Sequence, residues 1–239
     1  STNVADGIVS VVAPVGLDHT DMLGDTLAEI ATEKAGIIKP GGYLISAAQD
    51  PEVATILLDT ARKQNAKYAF EGVEFGVVER DRAVGGQFLT LRGLAGEYPD
   101  IELPLHGEHQ GQNASLALAA VEAFFGGDRA LARDVVLAGF AQVRSPGRLE
   151  MIRSEPLVVL DAAHNPHGVR AASTAFKEAF ELSHVHAVVG ILGEKDALGI
   201  FEVLREEYVD STDATFRLYL SASDSSRAIA PEELQEIAL

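Results

Sequence analysis

The run IVSVVA at residues 8–13, the loop GLDH at 16–19 and the run TLAEIATEKAGII at 26–38 decide the class of fold. The first is β-branched and apolar, as a buried parallel strand is. The last is a helix: Thr26 and Glu29 have capping-box spacing, Ile30, Lys34 and Ile37 fall on one face, and Pro40-Gly41-Gly42 ends it. Strand, polar loop and capped helix make one βα unit of an α/β domain. A chain that opens within a few residues of such a strand is expected to continue a longer one.

Working outward, residues 43–47 predict a strand, 52–64 a helix and 67–70 a further strand, so the alternation continues. The pattern then changes to short alternating runs at 73–78, 86–91 and 101–105, which predict an antiparallel meander, followed by helices at 112–125 and 128–141. Ser145-Pro146-Gly147-Arg148 is the expected boundary, because Pro-Gly cannot continue a helix. A second series begins there: strand 157–160, helix 166–180 capped by Asn165, strand 186–192, helix 198–207, strand 216–220 and helix 231–239. Its last helix has no terminal cap, so this domain too is expected to be incomplete.

Composition narrows the function. With 47% hydrophobic residues in 239 the chain can bury a core, and no run approaches the ~20 apolar residues of a membrane span. The first residues lack the pattern of a signal peptide, and there is no cysteine, which removes disulfides and zinc–thiolate sites and fits a cytoplasmic protein. Nineteen basic against 36 acidic residues, a net charge of −17, argue against nucleic-acid binding. An anionic substrate would then need a metal or a few aimed basic groups.

Three constellations could supply them. His19 lies at the carboxyl end of the first strand, where ligands collect in open α/β sheets, and Lys34 follows on the next helix. A lysine on an apolar face either snorkels or is held neutral, and a neutral amine can take up carbon dioxide as a carbamate, an oxygen ligand suited to magnesium. Gly107-Glu108-His109-Gln110 with Asn113 opens the alanine-rich helix, and taken alone reads more readily as an ordinary capped helix start. Pro146-Gly147-Arg148 and Asp161-Ala162-Ala163-His164-Asn165-Pro166 flank the strand at 157–160, the latter on a strand-to-helix turn whose free amides face the ligand side, or else an Asx turn that only caps a helix. Lys195-Asp196 occupies the next such turn.

In order and spacing these segments, with Leu23-Gly24, Glu33-Lys34-Ala35-Gly36-Ile37, Lys39 and Leu149-Glu150, resemble the folylpolyglutamate and dihydrofolate synthases, a branch of the Mur ligase superfamily. The resemblance covers nearly the whole chain. It implies a P-loop-type central ATPase domain, a parallel sheet with a small antiparallel meander, in residues 1–145, and a Rossmann-like C-terminal glutamate ligase domain in 146–239. It also implies an ATP- and magnesium-dependent ligase that joins glutamate to a folate or to dihydropteroate through an acyl phosphate, a monomer acting on small molecules without membrane or nucleic acid. His19 and a carbamylated Lys34 match its magnesium ligands; Asn113, Arg148 and Asp161 match ATP contacts, Arg148 at the phosphates and Asp161 at the ribose. His164 matches a supporting histidine near the reacting phosphate, and Lys195 is a looser phosphate contact.

The family's Gly-x-x-Gly-Lys-Ser loop, and a glutamate that supplies a further magnesium ligand, do not occur in these residues and are expected upstream. The chain alone would then be inactive. Another Mur-type ligase and a non-catalytic module are the competing readings. A metal hydrolase built on His19, His106, His109 and His164 lacks the His-Glu-x-x-His spacing of a zinc helix.

Overall fold

The computed structural model describes residues 2–16 and 26–238. It divides into two compact units: residues up to Pro104 with Glu108–Arg144, and Leu105–Gly107 with the residues from Ser145 on.

In the first unit, β1 (Val9–Val12), β2 (Tyr43–Ser46) and β3 (Lys67–Phe70) form a parallel sheet in that order. Alternate residues of β2 face opposite ways and both are buried, which is why the strand reads as a continuous apolar run. Leu44 packs with Ala31, Ala35 and Ile38 at α1 (Leu27–Ala35) and with Val53, Leu57 and Ala61 of α2 (Pro51–Lys63). Ile45 and Ala69 pack with Leu116, Ala119 and Ala123 of α3 (Glu108–Phe124). The capping box is formed: Thr26 accepts from the Glu29 amide at 3.2 Å and Glu29 accepts from the Thr26 amide at 3.2 Å. The helix stops at Ala35, earlier than the pattern predicts, because the Gly36 and Ile37 amides turn back to the carbonyls of Glu33 and Lys34.

The meander is β4 (Gly76–Ala83), β5 (Gly86–Arg92) and β6 (Glu97–Leu103), antiparallel, with Leu89, Leu91, Ile101 and Leu103 buried at the period of two. The α3 helix begins four residues earlier than expected, and α4 (Arg133–Ala141) follows it. Glu122 of α3 is fully buried. Its carboxylate accepts from the amides of Leu94 and Ala95 and, at 2.6 Å, from the Tyr98 hydroxyl, which in turn accepts from the Leu131 amide at 2.7 Å. One buried side chain thereby ties the β5–β6 turn and the α3–α4 loop to α3, its burial offset by its donors.

In the second unit, β7 (Glu150–Ser154) and β8 (Leu157–Leu160) form an antiparallel hairpin, while β9 (His184–Val189) and β10 (Thr215–Leu220) pair in parallel. The sequence reading has no strand at 150–154, and every residue of β7 is exposed, so no buried alternation marks it. Helices α5 (Pro166–Ala179), α6 (Ala197–Arg205) and α7 (Pro231–Ala238) supply Val169, Ile200, Phe201, Leu204 and Leu234 to one core, with Val185, Val189, Phe216 and Leu218 of the parallel strands against it. A π turn, Glu206–Asp210, extends α6 and places Tyr208 in stacking contact with Phe216 at 5.2 Å. Among the described residues no helix is long and apolar enough to cross a membrane.

Candidate functional site

Asp161 directly follows β8, where the chain must turn into α5. Its two oxygens accept from the amides of Ala163 at 2.7 Å and Leu149 at 2.9 Å. The Ala162 amide donates to the Gly147 carbonyl at 2.8 Å, so the 145–150 and 161–165 segments are laced together. Within the first of these the Arg148 amide donates to the Ser145 carbonyl at 3.1 Å and the Gly147 amide to Glu150 at 2.9 Å. Arg148 itself is exposed, and among the described residues its guanidinium has no hydrogen-bond or ion-pair partner.

Asn165 caps α5 by accepting from the Gly168 amide at 2.7 Å, with Pro166 in the first turn. His164, exposed, has Nδ1 3.1 Å from the Ala162 carbonyl. On the next turn Asp196 caps α6 through the Gly199 amide at 2.9 Å, and Lys195 is half-buried with its amide donating to the Leu192 carbonyl at 2.9 Å. Glu194 pairs with Arg227 at 2.7 Å, which ties this turn to the loop after β10. The two helix starts adjoin, since a Cβ at Gly199 would lie 2.7 Å from the Pro166 ring. Arg148, Asp161 and His164 thus share one laced turn at a helix N-terminus, and Lys195 stands on the neighbouring one. Such a corner suits an anion.

Lys34 and Asn113 belong to the other unit. Asn113 is exposed on α3 and donates to the Gln110 side chain at 3.3 Å, while Gln110 Nε2 lies 3.1 Å from His109 Nε2. Lys34 is exposed, not desolvated on the apolar face. The buried stripe at this helix runs Ala31, Ala35, Ile38, and the long side chain at its edge reaches solvent. His19, with Asp18, Leu23 and Gly24, lies outside the described residues. Among the described residues no three potential metal-ligating side chains cluster. His106 packs on Phe180 at 5.6 Å, where burial lowers its pKa.

Two site-building contacts escape the sequence reading: the Glu150 carboxylate on the Gly147 amide and the Glu194–Arg227 pair. The first has a faint signal, an acid three residues after a turn glycine; the second spans 33 residues and has none.

Residues 147–238 match the Mur ligase glutamate ligase domain. The chain is 48% identical over 223 residues to a dihydrofolate synthase/folylpolyglutamate synthase of Mycobacterium tuberculosis, covering 90% of this chain and 46% of the relative. It is 33% identical over 196 residues to that of Bacillus subtilis, covering 82% and 46%. The structure of Mycobacterium tuberculosis folylpolyglutamate synthase complexed with ADP superposes with a TM-score of 0.90 at 44% identity, over 99% of this chain and 52% of that one. The chain spans about half the length of the curated relatives it matches. The chain is therefore homologous to the folylpolyglutamate and dihydrofolate synthases, and its residues 147–238 match the glutamate ligase domain of the Mur ligases.

Proposed function

We propose that the protein carrying this chain is an ATP-dependent ligase that adds L-glutamate to a folate, to dihydropteroate, or to both. The observation that carries the reading is the 48% identity over 90% of the chain to a synthase of that name. The laced turn of Arg148 and Asp161 supports it, because its chemistry suits a nucleotide. In the overall reaction the γ-phosphoryl group of ATP passes to an oxygen of the folate or dihydropteroate carboxylate, forming an acyl phosphate and releasing ADP. The glutamate amine then attacks the acyl carbon, phosphate departs, and the nitrogen loses a proton.

In this reading the guanidinium of Arg148 forks onto phosphate oxygens and counters charge that develops there. Asp161 is held by two amides and keeps lone pairs for a ribose hydroxyl. His164 stands beside the reacting phosphate in a supporting role, Lys195 adds charge from the next turn, and Asn113 contributes a side-chain amide from α3. Residues 1–145 act as part of the central ATP-binding domain and 146–239 as the glutamate ligase domain.

Magnesium would be held by His19 and by Lys34 as its carbamate. An oxygen-plus-imidazole donor set suits a hard cation. When bound, the ion supplies charge neutralisation at phosphate oxygens.

The deciding experiment is incorporation of radiolabelled L-glutamate by the full-length protein with ATP, magnesium and either tetrahydrofolate or dihydropteroate. Labelled product with one or both acceptors is expected. ATP turnover without labelled product would point to a different Mur-type acceptor.

A further inference from the structure

We infer that Glu150 is a positioning residue for Arg148, its carboxylate fixing the backbone beside the arginine so that the guanidinium is presented ready-made to phosphate. The inference rests on the reading of Arg148 as a phosphate contact.

Arg148 stands between two residues in the left-handed region, Gly147 at φ 70° and Leu149 at φ 44°. Glycine adopts that conformation without strain, whereas leucine does so only where its surroundings hold it there. Here they do. The Leu149 side chain is buried and its amide donates to Asp161 at 2.9 Å. On the other side the Gly147 amide donates to Glu150 at 2.9 Å, the Gly147 carbonyl accepts from Ala162 at 2.8 Å, and the Arg148 amide is closed onto Ser145. Every amide from Gly147 to Leu149 is engaged, two of the three by carboxylates.

Those two carboxylates bind the residues on either side of Arg148, where an arginine with a purely structural task could pair with one of them. Instead each binds backbone, and the guanidinium has no partner among the described residues. A rigid backbone under an unengaged planar fork is the arrangement that lowers the ordering cost of binding an external anion. Asp161 is already read as a nucleotide contact; Glu150 has only this role.

The test is calorimetric titration of the full-length protein with ADP, for wild type, Arg148→Ala, Glu150→Ala, Glu150→Gln and the double alanine variant, with a thermal unfolding midpoint for each. Glu150→Ala should weaken ADP binding about tenfold, comparable to Arg148→Ala, because a charge-assisted phosphate contact is lost in both. Glu150→Gln, whose amide oxygen still accepts from Gly147, should stay within about threefold of wild type. In the Arg148→Ala background, Glu150→Ala should change ADP affinity no further, since the two act as one unit. Additive losses, an unaffected Glu150→Ala, or a glutamine variant as weak as alanine would overturn the role of Glu150 and leave that of Arg148 standing. Unchanged ADP affinity in Arg148→Ala would remove the phosphate contact itself, and the inference with it. Should Glu150→Ala fold poorly, Glu150→Asp, which keeps the charge but shortens its reach, replaces it with the same expectations.

Discussion

Tyr98 shows how a single side chain couples packing to proton binding. Burial and the hydrogen bond to Glu122 push its pKa up to about 12, from an ordinary value of 10. The fold therefore favours the neutral phenol, so its contribution is fully present below pH 10 and is lost as pH rises towards 12, the unfolded chain ionising first. Over that window the wild type should lose on the order of 2 to 3 kcal/mol at this residue. Tyr98→Phe should be less stable at pH 8, because Glu122 and the Leu131 amide lose a partner, and denaturant titrations should show the gap closing between pH 10 and 12. A gap that widens would contradict the assignment. Lys34 gives a second prediction at this scale: in the full-length enzyme Lys34→Ala should lose ligase activity, and added small carboxylates should restore part of it. Undiminished activity would rule out the carbamate.

At the scale of elements, two helical glycines separate what helix propensity does from what packing does. Gly139 of α4 is exposed, and a Cβ there meets nothing within 4 Å. Gly139→Ala should stabilise by about 0.5 to 1 kcal/mol through propensity alone. Gly199 lies in the first turn of α6, where a Cβ would come within 2.4 Å of the Asp196 carboxylate and 2.7 Å of the Pro166 ring. Gly199→Ala should therefore reverse the sign and destabilise by about 1 to 2 kcal/mol, displacing the cap and spreading the two adjoining helix starts. Thermal melts of the two variants side by side decide it. If both substitutions stabilise, the α5 and α6 starts are not in contact.

At the scale of the molecule, 36 acidic against 19 basic residues leave a net charge of −17. The exposed ion pairs, such as Arg133 with Asp100 and Arg227 with Glu194, each contribute about 0 to 1 kcal/mol, too little to offset repulsion among the excess acids. Raising sodium chloride from 10 mM to 300 mM shortens the Debye length from about 30 Å to below 10 Å, so the unfolding midpoint should rise. A fall would mean that the ion pairs outweigh the repulsion. The same acidity gives local positive groups their importance: Arg148, on the segment laced to the turn before α5, and Lys195, on the turn before α6, stand in a field that otherwise repels anions.

The sequence by itself determined the elements with local signatures: the Thr26–Glu29 capping box, the apolar run of β2, and the Asn165-Pro166 start of α5. Through the order of its segments along the chain it also carried the likeness to the folylpolyglutamate and dihydrofolate synthases. Each of these signals lies within a few residues, where caps and periodicity operate. Only the tertiary structure decided that residues 150–154 pair with β8, that Glu122 is buried among donors 24 to 28 residues away, that Lys34 is exposed, and that Asp161 and Glu150 bind backbone around Arg148. A polar side chain's partner is chosen by whichever donor the folded chain leaves unsatisfied nearby, and that choice has no period in the sequence.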